Sequence, residues 1–418
     1  MTARDVARRV LDRVDRGGAW ATPALDGELA RSGLDERDRR LAAELVYGVL
    51  RHRARIDRAL AAHADLARTP PRVVTALRVA AYQLLFLDRV PSYAAVDDAV
   101  RAARGVAGTW LSGFANAVLR KVSREREPAL PDEPRARIEI EHSLPAWIVD
   151  ELAAAAPDRL AELAAAFAAP APLVARGNRL QTTREDLIAE LAAAGIAARP
   201  VAAAPMALTL DGVGDPSRAE SFRAGRWTVQ DTGAQLVGLI AAPRPGQRIL
   251  DACAGVGGKS THLAELSSDA AQIDAADQLP TKLDLAIETA HRLGLASIRP
   301  VPCDLLDPAA PLAAAYDLIV LDAPCSGLGV LRRHPDAKWR QKPADVPRLA
   351  QLQRQLLDAV VARLAPEGAL VYSVCTFTGA EGPDQVAALV ARTGLRLVDE
   401  RRTWPPDADA FYIARLER

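Results

Sequence analysis

Ile249 to Leu263 reads ILDACAGVGGKSTHL, and this stretch decides the fold. The short run Arg248-Ile249-Leu250 ends in Asp251, small residues follow from Ala252 to Gly258, and helix character begins at Lys259. A strand, a glycine turn and a helix N-terminus in that order let a ligand approach the backbone closely and meet free N–H groups. A second run, Gln272-Ile273-Asp274-Ala275-Ala276, closes on Asp277. That acid stands about 20 residues after the glycines, where nucleotide-type folds hold ribose hydroxyls.

Three ligands compete for the turn. Gly258-Lys259-Ser260 fits the end of a P-loop, but the first glycine of that motif falls on Cys253. A dinucleotide fingerprint needs three spaced glycines, and Gly255-Val256-Gly257-Gly258 supplies only the first pair. S-adenosylmethionine carries an adenosine and an amino-acid tail but no phosphate, so it needs the turn and the ribose acid without an anion cradle. Taken alone, the turn reads equally well as one that only packs a strand on a helix.

From Gly246 onward strands and helices alternate. Strand-like runs are Arg248–Ala252, Gln272–Asp277, Ile298–Cys303, Tyr316–Asp322 and Ala369–Cys375, with helices at Thr281–Leu293 and Pro347–Leu364. Such alternation predicts an α/β domain with a parallel, doubly wound sheet. Ligands of such sheets lie outside the carboxyl ends of the strands, where Asp251, Asp277, Asp304, Asp322 and Cys375 would line one edge.

Upstream, residues 1–127 read as all-helical. Val6, Val10, Leu11 and Val14 share one helical face, as do Leu41, Leu45, Val49 and Leu50. This part holds 23 Lys and Arg against 16 Asp and Glu, a net +7 inside a chain whose formal charge is zero. Arg51, Arg53, Arg55 and Arg58 are read first as a solvated helix face and second as a phosphate-contacting surface. Arg124 to Arg137 carries three prolines and many charges, and reads as a linker. Residues 138–236 suit a small α+β domain, and residues 237–418 the last domain.

In the 418 residues the opening MTARDVARRV carries charge where a secretion signal needs an apolar core, and no apolar run reaches membrane-spanning length. A cytoplasmic protein with reduced thiols is expected. Its four cysteines, Cys253, Cys303, Cys325 and Cys375, are widely spaced and form no CxxC pair, which speaks against a metal site. A strand-end cysteine is usually a small buried hydrophobe. Here two of them, in Asp322-Ala323-Pro324-Cys325-Ser326-Gly327 and Tyr372-Ser373-Val374-Cys375-Thr376, follow strands beside a cofactor turn. Two thiols suit methylation of a pyrimidine at C5. One thiolate adds to C6 and makes C5 nucleophilic, and a second group assists release. Asp322 is placed to hold the cytosine edge.

At these residues the chain resembles the bacterial RNA cytosine-5 methyltransferases of the Sun/Fmu type, the ribosomal small-subunit RNA methyltransferase B family. DACAGVGGKS is similar to its cofactor motif, Ala276 to Lys282 to its ribose motif, and Cys303-Asp304 to its adenine-side motif. DAPCSGLG with Arg332-Arg333-His334-Pro335-Asp336 resembles its release-cysteine motif, and YSVCT its nucleophile motif. Trp227 to Asp231 resembles the entry to its catalytic domain. Gly113 to Arg120 resembles the end of its NusB-like RNA-binding module.

The resemblance implies a class I (Rossmann-like) methyltransferase sheet preceded by an all-α NusB-like domain and a small α+β domain. It implies S-adenosylmethionine at Cys253, Ala254, Gly255, Val256, Gly257, Gly258, Lys259, Asp277, Asp304 and Asp322. It makes Cys375 the nucleophile and Cys325 the release residue, with 16S ribosomal RNA, free or in an assembling subunit, as the substrate of a monomeric enzyme. Three positions depart from the family's pattern. Gly255-Val256 replaces Ala-Pro, Val374 replaces Thr, and Glu381-Gly382-Pro383 replaces paired acids and an Asn. Arg332, Arg333 and Lys338, with Trp339 among them, are expected to clamp RNA phosphate. The alternatives are a transfer-RNA cytosine-C5 enzyme, an amino-group methyltransferase, and a NusB-like RNA-binding or antitermination protein with an inactive enzyme domain. The second needs no thiol, and intact Asp322, Cys325 and Cys375 argue against the third.

Overall fold

The computed structural model describes residues 1–88 and 90–418, apart from the Ala107 side chain. Two compact units emerge, residues 1–169 with 331–341, and residues 170–330 with 342–418.

The first unit is helical throughout. Its opening helix, Ala3–Gly17, starts at a capping box between Thr2 and Asp5 and stops at Gly18, whose φ of 62° ends the helix in the left-handed region. It buries Val6, Val10, Leu11 and Val14, the expected face. Helix Pro71–Phe86 is apolar almost all round and runs through the core of the unit. The expected linker shrinks to eight residues, 126–133. The long helix Ser92–Glu125 extends into it, and Pro134, at the first position of helix Pro134–Glu141, begins the next. Charge and proline content concealed a helix start, because proline at that position costs no hydrogen bond. Helices Ala146–Ala155 and Leu160–Ala168 also fall in this unit.

The second unit opens with strands β1 (Leu173–Gly177), β2 (Ala197–Pro200), β3 (Ala207–Asp211) and β4 (Trp227–Val229) in the antiparallel order β2-β3-β1-β4. Leu187 and Leu191 of helix Arg184–Ala193 pack on this sheet with Leu208, Leu210 and Trp227.

The large sheet comprises β5 (Arg248–Ala252), β6 (Gln272–Asp277), β7 (Ile298–Pro302), β8 (Tyr316–Asp322), β9 (Leu364–Val374), β10 (Arg396–Arg402) and β11 (Tyr412–Glu417), in the order β10-β11-β9-β8-β5-β6-β7. β9, β8, β5, β6 and β7 are parallel, as the alternation of elements predicts. β11 runs antiparallel to β9, and β10 antiparallel to β11. This reversed pair escaped the sequence reading because β10 reads RLVDERR, a charged edge strand without a core face. Among the described residues no helix is long and apolar enough to cross a membrane.

Candidate active site

The parallel strands deliver their carboxyl ends to one cavity of about 390 Å³ in the second unit. Its wall includes Cys253, Gly255, Asp277, Asp304, Asp322, Cys325 and Cys375, which lie up to 122 positions apart in sequence. Leu305, Leu306, Leu352 and Leu356 add an apolar side.

The glycine turn bends sharply after β5. Cys253 has φ 66° and Gly257 φ 78°. A Cβ on Gly257 would lie 2.6 Å from that of Ala286, so glycine is required for helix Pro280–Leu293 to come this close. Asp277 braces the turn from the next strand. Its carboxylate accepts from the Gly255 N–H at 3.0 Å and from the Leu279 N–H at 2.9 Å. Each oxygen keeps a second lone pair for a ligand hydroxyl. Asp304 similarly orders its own loop by accepting from the Leu306 N–H at 2.9 Å.

Not every residue of the turn faces the cavity. Cys253 and Gly255 line it, Ala254 is buried, and Val256 is 54 % exposed. Gly258 starts helix Gly258–Leu266, and Lys259 reaches from its first turn to Asp322, Nζ to Oδ2 at 2.5 Å. Burial works to lower the Lys259 pKa, but Asp322, Asp251 and Cys375 outweigh it and leave the ammonium held above its usual value. Ser373 donates to the other Asp322 oxygen at 2.8 Å. Asp251 departs from expectation. It is fully buried beneath the turn, accepts from Ser260 Oγ at 2.5 Å, and takes no part in the cavity wall. Burial pushes its carboxyl up to about 6.

The two thiols meet. Cys325 Sγ lies 3.4 Å from Cys375 Sγ, although 50 residues separate them. The contact with Cys375 and burial both push the Cys325 thiol well up.

Arg332 and Lys338 do not form the expected phosphate clamp. They belong to the first unit and are only 5 % and 2 % exposed. Lys338 Nζ donates to the Arg51 carbonyl at 2.9 Å, Trp339 Nε1 to the Leu50 carbonyl at 2.7 Å, and Arg51 donates to the Arg332 carbonyl at 3.1 Å. The segment satisfies the open carbonyls at the end of helix Glu36–Arg51, and an ammonium spent there is not available to RNA. Arg333 is half-buried. Arg51 likewise turns inward, which leaves both readings of the Arg51–Arg58 run incomplete.

Burial lowers Lys338 to about 7, against about 10.4 in an unfolded chain. Between these values the unfolded chain holds the extra proton, so the stability of this unit is expected to rise with pH from about 7 toward 10. Lys338→Met should flatten that rise by on the order of 2–4 kcal/mol, as read from thermal melts at pH 6.5 and 9. Equal slopes in the two proteins would show that Lys338 does not titrate in the fold.

A sheet with this reversed outer pair and a cavity over the ends of its central strands defines an α/β methyltransferase of the Rossmann-like class. Solved structures share the fold. PH0851 matches with a TM-score of 0.85 at 21 % identity over 100 % of this chain and 99 % of that one. A methyltransferase homolog protein from Pyrococcus horikoshii matches with 0.61 at 22 % identity, over 69 % and 100 %. In sequence, residues 238–417 match the family described as 16S rRNA methyltransferase RsmB/F, residues 1–124 the NusB family, and residues 144–215 the ferredoxin-like domain of RsmF/B-like methyltransferases. The ribosomal RNA small subunit methyltransferase B of Pseudomonas putida is 35 % identical over 100 % of this chain and 98 % of its own. The probable enzyme of that name from Synechocystis sp. is 36 % identical over 92 % and 88 %. The chain belongs to the ribosomal RNA small subunit methyltransferase B family.

Proposed function

We propose that this protein transfers a methyl group from S-adenosylmethionine to C5 of a cytosine in 16S ribosomal RNA, through a covalent bond between Cys375 and C6. The observation that carries this reading is the 3.4 Å contact of two thiols on the wall of the cavity that also holds the glycine turn and Asp277. A methyltransferase acting on an amino group has no use for such a pair.

The cavity suits the cofactor. Asp277 offers lone pairs for ribose hydroxyls, Asp304 with Leu305 and Leu306 forms a mixed polar and apolar wall for an adenine, and Gly255 leaves the backbone open. When bound, S-adenosylmethionine supplies an electrophilic methyl group. The chain's own residues prepare the base. The Cys375 thiolate adds to C6, which drives electron density to C5, and Asp322 holds the polar edge of the ring. After C5 has gained its methyl group, a base takes the C5 proton, that bonding pair re-forms the C5–C6 double bond, and the C6–S pair leaves with the Cys375 thiolate, Cys325 standing close enough to assist the release. The base must leave its stack to enter a cavity of this kind. The enzyme would work in the cytoplasm as a monomer, on free RNA or an assembling subunit.

Mass mapping of 5-methylcytosine in 16S RNA incubated with the protein and S-adenosylmethionine tests the reading. One modified cytosine is expected, and methylation on an exocyclic nitrogen would overturn it. Asp277→Ala should weaken S-adenosylmethionine binding by roughly 1.5–3 kcal/mol, since it loses a charge-assisted contact and the brace on Gly255. Unchanged affinity in a calorimetric titration would remove Asp277 from the site.

A further inference from the structure

Glu381 lies outside the cavity wall and is fully buried. Its carboxylate accepts four hydrogen bonds, from the Ser326 N–H at 2.8 Å, Ser326 Oγ at 2.6 Å, Thr378 Oγ1 at 2.9 Å and Gln353 Nε2 at 3.1 Å. Its carbonyl accepts from the Tyr372 hydroxyl at 2.6 Å. These partners come from three elements. Ser326 follows Cys325 directly. Thr378 lies three residues after Cys375, and Tyr372 three before it. Gln353 sits on helix Asp345–Val361 and also donates to the carbonyl of Pro324, next to Cys325, at 2.9 Å. Ser326 Oγ is further paired with Thr376 Oγ1 at 2.9 Å. One carboxylate therefore ties both thiol-bearing loops to the same helix.

The charges around the two thiols differ. Cys325 feels Cys375, Glu381 and Asp322, and each opposes a negative charge on its sulfur. Tyr372, also close, is a neutral phenol held well above its usual range by burial. On the other side the Lys259 ammonium counts Cys375 among its partners, along with Asp322 and Asp251. A carboxylate hydrogen-bonded to the residue next to Cys325 opposes negative charge on that sulfur.

We propose that Glu381 is the positioning residue of the thiol pair: through Ser326, Thr378 and Gln353 it holds the Cys325 and Cys375 loops in contact and sets its negative charge behind the Cys325 loop. This rests on the cysteine mechanism proposed above and adds the element that positions the two thiols. Glu381 touches neither base nor cofactor and acts through the residues that carry the thiols.

The test reads each thiol in the protein without RNA or cofactor, so its outcome is independent of which nucleotide is methylated. Iodoacetamide labelling between pH 6 and 10, with peptide mapping, follows Cys325 and Cys375 separately. In the unaltered protein Cys325 should label only at high pH, and ready labelling of Cys325 below pH 8 overturns the proposal whatever the variants do. Glu381→Gln keeps the shape and an acceptor oxygen but removes the charge. It should speed Cys325 labelling at pH 8 about tenfold and change Cys375 much less. Glu381→Asp restores the charge and should return Cys325 toward its original profile. An unshifted Cys325 profile in a folded Glu381→Gln protein overturns the proposal, as does an equal shift of both thiols, which would report general loosening.

Discussion

Cys375→Ser is expected to yield neither methylated RNA nor a protein–RNA adduct, because a serine hydroxyl in that position cannot add to C6. Cys325→Ala is expected to fail differently. Attack and methylation proceed, elimination slows by roughly 10²–10⁴-fold, and a covalent species accumulates that survives denaturing electrophoresis with the methyl group already on the base. The opposite assignment is chemically conceivable, since Cys325 follows a proline as the attacking cysteine of DNA cytosine-C5 enzymes does. If Cys375→Ser traps the adduct and Cys325→Ala does not, the roles are exchanged. If neither substitution lowers turnover, no thiol mechanism operates. The 3.4 Å contact makes both assignments sterically open, so these two substitutions decide between them.

The second large effect is expected from Arg176→Ala. Arg176 ends β1, and its guanidinium is fully buried against Glu265 on helix Gly258–Leu266. It donates to Glu265 Oε1 at 2.6 Å, to Thr261 Oγ1 at 3.1 Å and to the Gly258 carbonyl at 3.0 Å, and it also pairs with Gln230. Removing it takes the guanidinium in direct contact away from the buried Glu265 carboxylate and leaves that carboxylate to the more distant charge and backbone N–H of Arg179, a loss of about 3 kcal/mol. Urea denaturation should show the loss as a lower midpoint, and an unaltered midpoint would mean that the pair contributes nothing to the fold. Because Arg176 grips the first turn of the helix that follows the glycine turn, the same substitution should also loosen the cofactor site.

Much of the catalytic part was legible along the chain. β5, β6 and β8 coincide with the largely apolar runs that mark them, since a parallel strand covered on both faces is mostly hydrophobic, and Asp277 and Asp322 stand at the ends of the last two. Lys338 and Arg332 were misread because a basic run with an aromatic has the same composition whether it meets phosphate or helix-end carbonyls. Composition carries no information about which way a side chain turns. Glu381 was visible only as a departure from a family pattern, and its four hydrogen bonds come from residues 3 to 55 positions away.

By itself, then, the sequence determined what is local in its physics: the order of strands and helices, the glycine turn with its strand-end acids, the helical first part, and the presence of two cysteines after buried strands. Periodicity, propensity and turn chemistry act over a few residues and can be read there. The tertiary structure decided what depends on non-local pairing. It turned the last two strands antiparallel, brought Cys325 and Cys375 into contact, drew residues 331–341 into the helical unit, and tied Glu381 to Ser326 next to Cys325. Those outcomes follow from which buried polar groups find partners once the chain has closed on itself, and no window of the sequence contains both members of such a pair.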